Sequence, residues 1–212
     1  MLILSAGTFG QAVASSLSQA WQRESTTAVE QLALTTPLDE LEPRIAAHDF
    51  VAVANWRPYV DIYRALDECC HRLGKTWFIA EIEGQTMNCG PLVQPGSGRG
   101  CYHCYLARGD AYERAGERTR ALRQAYQRDH QLGNPGFLGP MVSIASASLL
   151  QAARGLSGPG QFRRLDVLTG TVLESVLVPL HDCPRCRPQA ADYDPTRRSL
   201  QDLLPALAKV LS

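Results

Sequence analysis

Two Cys-x-x-Cys pairs constrain this chain more than any other feature. Cys101 and Cys104 stand in GRGCYHCYLAR, and Cys183 and Cys186 in PLHDCPRCRPQ. Each spacing sets two thiolates on one tight turn. Two such turns brought together make a tetrahedral four-sulfur site suited to zinc. The stretch between the pairs is long, so this is not a small finger but a clip that ties the middle of the chain to its C-terminal part. Closing so long a loop costs chain entropy, which metal binding offsets by stabilising only the folded state. Four thiolates fill the coordination shell and leave no place for a catalytic water, so the expected Zn2+ is structural. One competing reading is a redox or disulfide pair, although no thioredoxin-like strand–helix–strand signature precedes either motif. The other is a set of unpaired buried thiols. His103 and His181 sit beside the pairs, as a substitute ligand, a hydrogen-bond donor to a thiolate, or simply solvent-facing side chains.

The 212 residues suffice for one substantial domain. Formal charge is zero, with 21 basic and 21 acidic residues, which argues against a nucleic-acid or anionic-membrane surface. The opening MLILSAGTFG has no basic region and turns glycine-rich too early for a signal peptide. No apolar run is long enough to span a bilayer. A reducing, cytoplasmic setting is expected.

Met1 to Leu4 read as a buried strand, followed by a turn flanked by Gly7 and Gly10 and then by an alanine- and leucine-rich helix. This is the opening of a Rossmann-type unit, but GTFG supplies only part of the three-glycine dinucleotide fingerprint. A nucleotide site and tight strand–helix packing are the two readings of these glycines. STTAVEQLAL is a second strand and PLDELEPRIAAHD a short amphipathic helix with Pro37 near its start. Phe50 to Trp56 form a strand, RPYVDIYRALDECCHRLG a helix ending at Gly74, and Lys75 to Gly84 another strand with its closing turn. The alternation implies an α/β sheet whose first part is parallel. Cys70 is expected in the core and Cys69 partly exposed.

A short strand carries Cys89 and Gly90, and Pro95 to Gly100 form a glycine-rich loop without the lysine and hydroxyl residue that close a P-loop. That loop delivers Cys101 to the metal. Cys89 is either a packed thiol or a nucleophile whose partners come from the fold. Tyr105 to Gln131 read as one polar helical segment carrying Arg108, Arg114, Arg118, Arg120, Arg123 and Arg128. Its charges suit a solvated face or an interaction surface. MVSIASASLLQAARGLSG reads as a buried helix whose small residues permit close contact with a sheet or another subunit. Phe162 to Val167 and Thr171 to Leu180 form a hairpin about Thr169–Gly170 that leads to Cys183. RPQAADYDPTRRSL is expected as a surface linker and SLQDLLPALAKVLS as an amphipathic helix.

Taken together, GPLVQPGSGRGCYHCYLAR and the hairpin followed by CPRC resemble the E1-like, or ThiF-like, proteins. The resemblance is to those that partner cyclodehydratases in making thiazole/oxazole-modified peptides. Gly90, Pro91, Pro95, Cys101, Cys104, Arg108, Cys183 and Cys186 carry it. The resemblance implies a Rossmann-like E1/ThiF-type α/β sheet with a tetracysteine zinc clip and a C-terminal hairpin. Residues 1–212 would form one domain, with a zinc module built from 89–108 and 162–188. It implies a YcaO-type cyclodehydratase partner that uses ATP to activate a backbone amide after attack by cysteine, serine or threonine. Dimeric or hetero-oligomeric assembly is implied as well.

The first strand begins almost at residue 1, so leader recognition is expected in a separate subunit, with the precursor peptide as a further partner. Asn55 and Arg57 fall loosely where an adenylating relative places polar groups, and no magnesium-binding acidic cluster follows VAVANW. The sequence assigns no catalytic residue, no cofactor-binding residue apart from the metal ligands, and no nucleic-acid or membrane partner. The leading expectation is a non-catalytic partner or scaffold subunit of the cyclodehydratase. The alternatives are a minimal ATP-dependent adenylyltransferase, a redox protein using one Cys-x-x-Cys, and a zinc-stabilised scaffold in another pathway.

Overall fold

The computed structural model describes residues 1–112, 116–129, 131–134 and 136–187. The linker and terminal helix expected beyond residue 187 lie outside the described residues, as do the side chains of Arg114, Arg118 and Arg120. Seven strands form one sheet: β1 (Leu2–Ala6), β2 (Glu30–Ala33), β3 (Phe50–Asn55), β4 (Thr76–Glu83), β5 (Thr86–Cys89), β6 (Gln161–Asp166) and β7 (Val172–Val176). Their order is β2-β1-β3-β4-β5-β6-β7. The first four run parallel, and β5, β6 and β7 are added antiparallel.

The apolar runs of β1 and β3 are continuous because both faces of these strands are covered. On one face Ile3, Ala52, Ala54, Phe78 and Ala80 pack beneath α1 (Gly7–Glu24) and α6 (Gly139–Ala153), which supply Phe9, Val13, Leu17 and Leu149. On the other, Leu4, Val51, Val53, Trp77 and Ile79 meet α2 (Leu38–Ala47), α3 (Val60–Leu73) and α4 (Tyr102–Tyr112). The alternation along each strand divides the core into these two layers.

Several boundaries differ from those read in the sequence. β1 runs on to Ala6 and α1 starts at Gly7, whose positive φ turns the chain from strand into helix within one residue. The segment expected as one helix over Tyr105–Gln131 is two, α4 and α5 (Gly116–Arg128). α4 starts before Cys104, its Tyr102 N–H donating to the Asp67 carboxylate 3.4 Å away. Cys69 is buried, not partly exposed. It follows Tyr63 and Leu66 on the helix stripe that α3 lays on the sheet. The returning hairpin strand ends at Val176, because Leu177 turns inward against Gly100. A Cβ on Gly100 would lie 2.6 Å from Leu177 Cγ, so only glycine lets the chain pass here.

Candidate functional site

The hairpin and the start of α4 bring Cys101, Cys104, Cys183 and Cys186 together, with all four sulfurs within 4.8 Å of one another. Cys101 Sγ lies 3.9 Å from Cys104 Sγ and 3.8 Å from Cys183 Sγ, and Cys104 Sγ lies 3.9 Å from Cys186 Sγ. Four thiolates at about 2.3 Å from a central ion stand about 3.8 Å apart in a regular tetrahedron. The donor set and its size therefore fit a tetrahedral metal ion. The same separations are too long for a disulfide, and all seven cysteines are free thiols.

Among these free thiols the surroundings favour one thiolate: the hydrogen bond to Cys104 and burial push the Cys101 thiol up, burial pushes Cys186 up to about 12, and Cys104 moves the other way. Cys101 N–H donates to Cys186 Sγ at 3.1 Å, and Leu180 N–H to Cys104 Sγ at 3.4 Å. The Cys104 thiol is held well below its usual range, first by the hydrogen bond from Cys101 and then, against the effect of burial, by the Leu180 amide. His103 and His181 are exposed, and among the described residues the cluster contains only cysteines.

Asp67 on α3 joins the two halves of the cluster. It is buried and accepts from Tyr102 N–H in the first Cys-x-x-Cys and from Arg185 Nη1 in the second, at 2.8 Å. Trp77 Nε1 donates to the same carboxylate at 3.3 Å. Burial raises the Asp67 pKa, and the Tyr102 amide and Arg185 oppose that rise. Arg108 donates from Nε and Nη2 to the carbonyls of Val178 and Pro179, fixing the chain that leads to Cys183. No sequence signal marked Asp67, which looks like one more charge on an amphipathic helix.

The crevice between the C-terminal ends of β1 and β3 is the point where α1 and α3 leave for opposite faces of the sheet, the usual ligand position in such a fold. Here Trp56 fills it. Its indole lies so close over the β1–α1 junction that a Cβ on Gly7 would stand 2.2 Å from Trp56 Cγ, and one on Gly133 2.7 Å from Cδ2. Trp56 Nε1 donates to Tyr59 OH at 2.9 Å. Gly10 faces inward instead, where a Cβ would fall 2.2 Å from the Ala54 carbonyl oxygen. The two glycines thus serve close packing, Gly7 against the Trp56 ring and Gly10 against the Ala54 carbonyl.

Asn55 and Arg57 are both buried, but for different reasons. The Arg57 guanidinium sits between the rings of Tyr59 and Tyr126, at 4.4 and 4.7 Å, and donates to the Tyr126 carbonyl. Asn55 begins a row of polar side chains that crosses the sheet one strand at a time: Asn55, Glu81, Asn88 and Arg164, each the register partner of the next. Tyr63 on α3 joins the row, its hydroxyl receiving from Asn55 Nδ2 at 2.8 Å and donating to Glu81 Oε2 at 3.0 Å. Arg164 Nε donates to Asn88 Oδ1 at 3.1 Å. Asn88 Nδ2 lies beside Glu81 without completing a hydrogen bond, and Asn55 Oδ1 has no partner. The spacing along the chain conceals this row, because it exists only across strands. Cys89, next to Asn88, is buried with its thiol pushed up to about 11 by burial, which disfavours a nucleophilic thiolate.

Glu81 and Arg164 of this row line a cleft of about 440 Å³ between α4 and the β6–β7 hairpin, walled by Tyr102, Tyr105, Leu106 and Phe162. Among the described residues no helix is long and apolar enough to cross a membrane.

No sequence-family model matches the chain, and no curated protein does. Solved structures do. The heterocyclase TruD is similar over 87% of this chain and 27% of its own, at 16% identity and a TM-score of 0.56. The E. coli microcin synthetase McbBCD complex matches over 86% of this chain and 66% of that one, at 12% identity and a TM-score of 0.62. E. coli MccB matches over 87% and 64%, at 14% identity and a TM-score of 0.57. The chain spans about a quarter of the length of TruD and just under two thirds of the other two. The fold expected from the sequence is thus the fold found: a Rossmann-like, E1-type α/β sheet, shared with components of heterocyclases and microcin synthetases.

Proposed function

We propose that this chain is a non-catalytic E1-like partner subunit of an ATP-dependent cyclodehydratase that forms azoline rings in a ribosomally made precursor peptide. The single observation that carries the non-catalytic reading is Trp56, whose ring occupies the crevice where this fold ordinarily takes a ligand. The likeness to heterocyclase and microcin-synthetase components supports the pathway. In this reading ATP is used by a YcaO-type partner, and this chain supplies a rigid docking platform in the cytoplasm. Cys101, Cys104, Cys183 and Cys186 hold a structural Zn2+ that fastens a module built from 89–108 and 162–188 onto a single domain. The precursor peptide, with a separate leader-recognition subunit, completes the assembly as a hetero-oligomer.

The test is co-expression with the YcaO-type protein and small precursor encoded nearby. The expected result is a stable complex and loss of one water per ring in the peptide, only when both proteins are present. ATP–pyrophosphate exchange catalysed by this chain alone would overturn the reading in favour of a minimal adenylyltransferase.

A further inference from the structure

β7 is the outermost strand of the sheet, and all five of its residues are exposed. Leu177 N–H donates to the Gly160 carbonyl and Asp166 N–H to the Thr171 carbonyl. Those pairs, with the register between them, turn the backbone groups of Leu173 and Ser175 toward β6. Val172, Glu174 and Val176 therefore point their N–H and C=O groups outward, and among the described residues nothing bonds them. The edge is also apolar, Val172 and Leu173 being 56% exposed and Val176 46%. An exposed apolar edge of this kind is a template for another strand.

This edge borders the cleft. Leu173 and Ser175 on β7, and Leu177 just after it, line it opposite Tyr102, Tyr105 and Leu106 on α4. Arg108, Arg123 and Arg164 also line it, with Glu81 and Glu83 as its carboxylates. Three arginines face two carboxylates, and burial pushes the Glu81 pKa up to about 8. The cleft is thus positive and aromatic, beside an open strand edge.

We propose that β7 and the cleft together bind an extended peptide that adds to the sheet as an eighth strand and carries an acidic side chain between apolar ones. Main-chain bonds to Val172, Glu174 and Val176 would supply register-fixed affinity, and alternate side chains would enter the cleft. Arg164 lies two strand spacings, or about 10 Å, from the added strand, and its bond to Asn88 turns it toward β5, so a carboxylate entering the cleft meets its charge across the cleft and not as a contact pair. The proposal rests on the peptide-modifying reading for the identity of that peptide, the precursor, but its binding chemistry does not need the partner enzyme.

The test uses the zinc-loaded full chain and a displayed library of linear peptides, followed by anisotropy titration of labelled synthetic peptides from the enriched sequences. Enriched sequences should alternate apolar residues with an aspartate or glutamate. Replacing that acid by lysine should weaken binding about tenfold, and Arg164→Gln should weaken it about threefold, with both effects smaller at high salt. Val176→Pro removes one outward N–H without touching the bonds to β6, and should weaken binding at least about fivefold. Should Val176→Pro lower zinc content or melting temperature, Leu173→Gln, at an exposed site on the cleft side, replaces it with the same expectation.

Absence of enrichment, or peptides that bind the variants as they bind the parent, would overturn the proposal. So would a dimer in sedimentation that Val176→Pro dissociates, since the edge would then pair with a second copy. Failure here leaves co-purification with a YcaO-type protein untouched, and failure of that co-purification leaves the peptide titration readable.

Discussion

Glu81→Gln is expected to reverse part of the pH dependence of stability. Glu81 is 5% exposed, so ionising it on the sheet floor is costly. Burial raises its pKa most, and the charge of Glu83 adds to that. The Tyr63 hydroxyl, the nearby Asn88 amide and the charge of Arg164 act in the opposite direction, leaving it at about 8 against 4.5 for an unperturbed glutamate. The folded chain therefore binds a proton here that the unfolded chain has released. The stabilisation is fully present below pH 4.5, falls as pH rises, and is gone above about 8. The gap between those two values corresponds to at most about 5 kcal/mol, and local relaxation brings the expected figure to about 2–4 kcal/mol.

The substituted amide keeps an oxygen for the Tyr63 hydroxyl and cannot ionise. Relative to the parent, Glu81→Gln should thus be near neutral at about pH 5 and gain about 2–4 kcal/mol by about pH 9. The cysteines act with the opposite sign, because unfolding frees thiolates to take up protons. That contribution is common to both proteins and cancels in their difference. Urea unfolding followed by tryptophan fluorescence, at several pH values in a zinc buffer, gives the difference directly. Parallel stability profiles would refute the reasoning, and so would a variant less stable than the parent at the alkaline end.

Three further substitutions test the frame. Cys183→Ser should lose stoichiometric zinc and at least about 3 kcal/mol of stability, read by metal analysis and by melting. Asp67→Asn should keep the metal but release it to a chelating dye about tenfold or more faster, because the carboxylate orients both halves of the sulfur cluster. Gly10→Ala should cost about 2–4 kcal/mol in urea denaturation, because its methyl group would press on the Ala54 carbonyl.

Much of the frame was legible along the chain because it depends on local pattern. The continuous apolar runs of β1 and β3 announce strands covered on both faces, and the stripe on α3 ending at Gly74 announces a helix of known length. The alternation of these elements is enough for a parallel sheet, and the two Cys-x-x-Cys motifs name the four thiols that the fold gathers into one cluster. Boundaries were less legible. Cys69 looked half-exposed because its neighbours in sequence are charged, whereas its helix stripe decides its burial. The strand ends at Val176 because Leu177 finds a pocket over Gly100, a residue far away along the chain.

The class of fold and the four clustered thiols are thus written in the order of residues, since periodicity and Cys-x-x-Cys spacing are one-dimensional signals. Folding in three dimensions decided what those elements leave open or closed. Trp56 closes the crevice by folding over glycines from two separate segments. The row from Asn55 to Arg164 exists because strand register brings four distant polar residues side by side. The open edge of β7 follows from its place in the sheet order. Each of these is a relation between segments set by packing, and no single stretch of sequence carries it.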